Sequence, residues 1–176
     1  EQHVLPRYQR LTDNSAAMSQ QLERLCTTPS IDNLSAAQTS FKTAQASWQG
    51  VQHIQFGPVT MLMRNHSLQY WPDKKNTGAK QLRSILKATD QTFDDEFFRS
   101  ASISLKGFPA LERLLFAKNE RIQNSKAVEC SLAAAIAQHI HETSASIQSE
   151  WSEEARQISF AGQEALPGAK KAAAYQ

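Results

Sequence analysis

The chain has 176 residues, enough for one domain with a substantial core, and its 19 Lys and Arg against 17 Asp and Glu leave a formal net charge of +2. That balance argues against nucleic acid or an anionic membrane as the main partner. No window approaches the roughly 18 unbroken apolar residues of a membrane-spanning helix. Ala, Gln, Ser, Leu and Lys are prominent, and six Gly and six Pro are few, which favours helix over sheet. No signal peptide is visible, and the chain opens at Glu1 without Met, as a mature form or a trimmed chain would.

Val4, Tyr8, Leu11, Ser15, Met18, Leu22 and Leu25 recur at steps of three and four. This spacing predicts an amphipathic helix of about 23 residues, ended by Thr27-Thr28-Pro29-Ser30. Asp32 or Asn33 can cap a second helix from about Leu34 to Gln52, with Leu34, Ala37, Phe41, Ala44 and Trp48 inward. Gln55-Phe56-Gly57-Pro58 breaks the pattern. From Val59 to Asn76 the chain is irregular, and Val59, Met61, Leu62, Met63, Leu68, Tyr70 and Trp71 are too apolar for a solvated loop. A connection packed over one end of a bundle fits them, with Arg64 and His66 inside it.

Gly78 to Ala88 reads as a short helix with Leu82, Ile85 and Leu86 inward. Thr89 or Asp90 starts another, through Phe93, Phe97 and Phe98 to about Leu105. Gly107 and Pro109 then interrupt it, and proline suits the first turn of a new helix. From Phe108 a 100° step places Phe108, Leu111, Leu115 and Phe116 on one face, with Glu112 inside that face. A carboxylate there must be paired, hydrogen-bonded, metal-bound or protonated. Arg64 is the chosen cation, with Arg83, Arg99 and Arg113 as substitutes. After a polar connection at 118–124, Leu132, Ile136, Ile140, Ile147, Trp151 and Ile158 mark a helix from about Ser125 to Ala161, roughly 50 Å long. The fold class is therefore all-α: a bundle of about four main helices with an irregular cap. Residues 1–163 make the bundle domain. Residues 164–176 are a tail, or the start of a second bundle.

Cys26 and Cys130 show no CxxC spacing, which argues against a zinc knuckle. Two buried thiols and one long-range disulfide stand equal on spacing alone. A bridge is geometrically reasonable if the first and last helices pass at that end. On the last helix, His139 falls at the edge of the apolar stripe and His141 opposite it, a solvated arrangement. His139-x-x-Glu142 reverses the di-iron order and occurs once. Glu129 shares the stripe's angular position, where the helix dipole also favours a carboxylate. G-x-S-x-G and H-E-x-x-H are absent, and His3, His53 and His66 are scattered.

Taken together, Cys26 before Pro29-Ser30, Trp48, Phe56-Gly57-Pro58, Trp71-Pro72-Asp73, the run Gly107-Phe108-Pro109-Ala110-Leu111-Glu112-Arg113-Leu114-Leu115-Phe116 and Cys130 opening an Ala-rich helix resemble the imelysin-like family. The resemblance spans nearly the whole chain. It implies a helical protein of the periplasm or outer-membrane surface of a Gram-negative bacterium. Such proteins are often lipoproteins with a lipid anchor upstream of residue 1, and are often iron-regulated and tied to iron uptake. It also implies two bundles with a site between them, of which this chain, at half the usual length, resembles the first. The family's G-x-H-x-x-E motif falls on Gly107, Pro109 and Glu112, with Pro109 where the His belongs. That departure argues against a metallopeptidase and resembles the predicted periplasmic lipoprotein branch. The implied oxidising compartment favours the Cys26–Cys130 disulfide.

The function expected is a non-catalytic envelope protein of iron acquisition, binding a ligand or metal or contacting another protein. Gly107, Pro109, Glu112, Arg64, Trp71 and Asp73 form its expected site, and Glu112 is the one metal-ligand candidate, for iron or another divalent metal. The expected partner is a second imelysin bundle or another envelope protein. A metal-dependent peptidase and a purely structural bundle domain are the alternatives.

Overall fold

The computed structural model describes residues 3–87, 91–116 and 128–164, the last segment with side chains to residue 157. Among these residues every regular element is helical. The expected start of a helix at Thr89 or Asp90, the polar connection at 118–124, the Ile158 side chain and the tail beyond 164 lie outside the described residues.

Three long helices form the frame: α1 (Val4–Thr27), α2 (Ile31–Gln49) and α7 (Val128–Glu164). Helix α1 buries the residues its spacing predicts, namely Tyr8, Leu11, Ser15, Met18, Leu22 and Leu25. It lies between the other two. The α1–α2 hairpin is tied at its open end by Arg7 donating to the Gly50 carbonyl at 3.0 Å, and further in by Asn14 donating to the Ser47 hydroxyl at 2.8 Å. Helix α7 runs antiparallel to α1: Cys26 meets Cys130, Ser19 meets Gln138, and Gln9 meets Gln148. Leu132, Ile136, Ile140 and Ile147 of its stripe are fully buried. The buried hydroxyls of Ser15 and Ser144 donate to carbonyls of their own helices, so neither is left unsatisfied.

The two cysteines form a disulfide with Cα atoms 5.7 Å apart, joining the end of α1 to the start of α7. The start of α2 differs from expectation. Ser30, read as part of a breaker, is the N-cap: its hydroxyl accepts from the Asn33 amide, so the helix begins at Ile31 and Asp32 lies in its first turn. It ends at Gln49, three residues early, and Gly50–Ile54 close the end in turns.

Residues 55–116 form the cap. Two 3-10 turns (57–59 and 61–63) lead into α3 (Arg64–Leu68). After an extended segment come α4 (Thr77–Ile85), α5 (Asp95–Ser100, capped by the Asp94 carboxylate), a 3-10 turn at 103–105, and α6 (Phe108–Leu115). The short α6 packs on α2, α4 and α7 and so joins the cap to the frame.

Two expectations are corrected in the cap. Like Trp71 further on, Met61, Leu62 and Met63 are exposed, Leu62 by 88%. Leu62 and Met63 both take left-handed backbone conformations, φ 53° and 57°, which turn this run away from the core. Glu112 is exposed, not inside the apolar face of α6. Ala110 and Leu114 are buried with Phe108, Leu111 and Leu115, and they rotate the buried arc away from Glu112. Phe116 is the C-cap, 39% exposed, and no longer helical.

Candidate functional site

Gly57 and Gly107 hold the cap in place. A Cβ at Gly57, whose φ is +68°, would stand 2.6 Å from the Trp151 ring, and Phe56 packs edge-on to the same ring at 5.6 Å. A Cβ at Gly107 would stand 2.2 Å from the Leu68 carbonyl oxygen and 2.3 Å from that of Ser67. Only glycine permits this approach of backbone to backbone, and it seats the start of α6 against the end of α3. Pro109 follows in the first turn of α6, where its missing N–H has no intrahelical use.

This seating opens a cleft of about 380 Å³ between residues 69–73 and the outer face of α6. Tyr70, Trp71 and Asp73 form one wall and Pro109, Glu112 and Arg113 the other; Gln45 of α2 and Gln69 complete it. Trp71 is 71% exposed and also borders a smaller hollow beside His66 and Asn65. Gln69 is held by the indole N–H of Trp48, which donates to its Oε1 at 2.5 Å.

Asp73 is committed to the fold. Its two carboxylate oxygens accept from the backbone amides of Thr77 and Gly78, at 2.7 and 2.9 Å. It therefore caps α4, where the helix dipole favours negative charge. Its side chain is 6% exposed, and the Arg113 guanidinium approaches to 3.8 Å. Arg113 also donates to the Pro109 carbonyl at 3.3 Å. The site thus holds one loose ion pair, its carboxylate buried and its guanidinium 35% exposed, and one carboxylate, Glu112, turned outward.

Of the residues expected at the site, Trp71, Asp73, Pro109 and Glu112 meet in this cleft, and Gly107 supports it from beneath. Arg64 does not join them, and its expected pairing with Glu112 is corrected. It makes a bidentate pair with Glu150 on α7, both contacts 2.7 Å, and donates to the Pro58 carbonyl at 3.1 Å. The Arg64 hydrogen bonds hold the Glu150 carboxyl below its ordinary range. Gln45, Gln69 and Tyr70 were missed by sequence reasoning. Tyr70 had a signal in its position beside Trp71, whereas the two glutamines had none.

His139 is corrected as well. It is not on a solvated face but is stacked on Phe98 of α5, with centroids 4.5 Å apart and planes 4° apart, and Ser67 Oγ lies 3.4 Å from its Nε2. Burial lowers its pKa, with a further push from Lys106 that Glu142 and Asp95 partly oppose. Glu142 is exposed and accepts from Gln138, away from any shared ligand. Glu129 is buried in the first turn of α7, as its angular position implied. His3 and His53 touch edge to face. Among the described residues, no three His, Cys, Asp or Glu side chains stand close enough together to hold a metal ion, and no helix is long and apolar enough to cross a membrane.

The family model described as Imelysin matches residues 4–174. Iron-regulated protein A of Synechococcus elongatus is 26% identical over 121 residues, which cover 68% of this chain and 30% of that protein. The crystal structure of an imelysin-like protein from Psychrobacter arcticum 273-4 shares the fold with a TM-score of 0.79 at 21% identity, covering 94% of this chain and 51% of that one. The chain therefore spans about half or less of the length of these relatives.

Proposed function

Because this chain belongs to the imelysin family, we propose that it is a non-catalytic protein of the bacterial cell envelope, working in iron acquisition and acting by binding through the cleft between residues 69–73 and α6. The observation that carries this reading is the cleft itself. The residues where the family motif falls, Pro109 and Glu112, line it together with Trp71, Tyr70 and a loose ion pair. The relation to an iron-regulated protein supports the link to iron. The disulfide supports an oxidising compartment such as the periplasm or outer-membrane surface. A second bundle following α7, or another envelope protein, is the proposed partner, and a lipid anchor would lie upstream of Glu1.

The donor set does not fit a resident metal of the described residues. Pro109 supplies no ligand, Asp73 is engaged by two backbone amides and faces an arginine, and Glu112 is a single carboxylate. Divalent metals need several such donors. Iron held at Glu112 would require further ligands from a partner. The lining of the cleft carries no Ser, Thr, Cys or His side chain to serve as an activated nucleophile or its histidine base, which favours binding as the account of the cleft.

Fractionation of cells grown with and without an iron chelator tests the proposal, together with incubation of the purified chain with unfolded protein and zinc or iron. The reading predicts an envelope protein whose amount changes with iron and which leaves the substrate intact. Cytoplasmic accumulation indifferent to iron would refute the envelope role. Cleavage lost in Glu112→Gln would establish the peptidase instead.

A further inference from the structure

We propose that the cleft is a receptor for a cationic side chain, that of a lysine or arginine presented by a partner polypeptide, with its charge on Glu112 and its stem against Trp71. This deepens the binding reading above and rests on it. The argument turns on which groups of the cleft remain open. Asp73 has both oxygens occupied by the Thr77 and Gly78 amides and is almost fully buried. Arg113 faces Asp73 and the Pro109 carbonyl, so its charge is balanced from within. Gln69 gives its oxygen to Trp48. Glu112 remains, exposed on α6 as the one carboxylate of the cleft with no task in the fold. Trp71 stands on the other wall of the same cleft, 71% exposed.

An outward carboxylate and an exposed indole on the two walls of one cleft are matched by a cation on a hydrocarbon stem. The carboxylate makes charge-assisted hydrogen bonds to an ammonium or guanidinium, and the ring attracts the same cation through its quadrupole. The stem covers apolar ring surface while the charged end stays partly wet. An anion would find only Arg113, already balanced by Asp73. Tryptophan is also one of the residue types enriched among the anchors of protein interfaces.

The probes are N-acetyl-lysine methylamide and its arginine counterpart, titrated into the 15N-labelled chain while the Trp71 indole resonance is followed; Trp71→Phe assigns that resonance. Saturable binding in the millimolar range is expected. It should weaken about ten-fold in Glu112→Gln and about three- to five-fold in Trp71→Ala, where the backbone amides of Tyr70, Asp73 and Arg113 are followed in place of the lost indole. The uncharged norleucine analogue should not saturate. Acetate binding lost in Arg113→Gln would overturn the proposal in favour of an anion site. Saturation by a neutral sugar that is unchanged in Glu112→Gln would overturn it in favour of a carbohydrate platform. No saturation by any probe would also overturn it, while leaving the envelope and iron measurements to judge the broader reading. Glu112 and Trp71 are exposed and Arg113 is half-buried, and unchanged amide spectra elsewhere would show that all three variants fold.

Discussion

The frame and the cap of this molecule are built on different terms. Helices α1, α2 and α7 are 24, 19 and 37 residues long and bury continuous stripes. Their stability is spread over many apolar contacts, none of them singular. The cap helices α3 to α6 have five, nine, six and eight residues. Helices this short do not stand alone. They are held by individual contacts: Gly107 against Leu68, Gly57 against Trp151, Arg64 on Glu150, Trp48 on Gln69. A frame of the first kind tolerates small changes almost anywhere. A cap of the second kind fails at a few places, and its surface is free to carry a site. The cleft lies mainly in the cap, with Gln45 its contribution from the frame.

The largest effect should come from the frame. The disulfide closes a sequence separation of 104 residues, and on the loop-entropy model its loss costs about 4–5 kcal/mol. Cys26→Ser with Cys130→Ser should lower the denaturant midpoint for frame and cap together. A loss confined to the cap would break the division drawn above. Next, Gly107→Ala forces a methyl into two carbonyl oxygens and should cost about 3 kcal/mol. Its hydrogen exchange should rise in residues 64–70 and 107–115 while the core of α1 stays protected.

Arg64→Ala should cost less, about 1–2 kcal/mol, since Glu150 is 40% exposed and its pairing is partly screened. The Glu150 carboxyl sits below its ordinary value of 4.5 in the folded state. Its stabilisation is therefore complete above that value and is lost as pH falls through the folded pKa. Urea midpoints of the parent and Arg64→Ala should converge at acid pH. His139 acts in a higher window. Its folded pKa lies below 6.5, so on acidification the unfolded chain takes up a proton before the native one does. Stability should fall as pH drops below 6.5 and level off below the folded pKa. His139→Phe should flatten that dependence in urea titrations, with the midpoint at pH 7.5 little changed.

The same contrast explains what the sequence made legible. The stripes of α1, α2 and α7 repeat often enough for a single wrong residue not to matter. In α6 the eight residues leave no such redundancy. Placing Phe116 on the helical face and leaving out Ala110 and Leu114 was enough to turn Glu112 inward. Arg64 and Glu150 are 86 residues apart, and nothing in local pattern predicts that meeting. Met61 to Met63 look like core by composition, yet left-handed backbone at two of them sends the run outward. His139 looks solvated on an isolated helix because its cover, Phe98, belongs to a different element. The cleft was legible in part: its aromatic wall and its carboxylate stood out as residue types, whereas the commitment of Asp73 to the α4 amides and Arg113 did not.

Glu112 carries the central claim, that this carboxylate serves a ligand and not the fold. The direct measurement is the melting temperature of Glu112→Gln beside the parent at neutral pH. An exposed residue of this kind should change stability by no more than about 0.5 kcal/mol, a shift of about 2 °C or less. A drop of roughly 6 °C or more, the scale of a broken buried pair, would contradict the account and return Glu112 to the core.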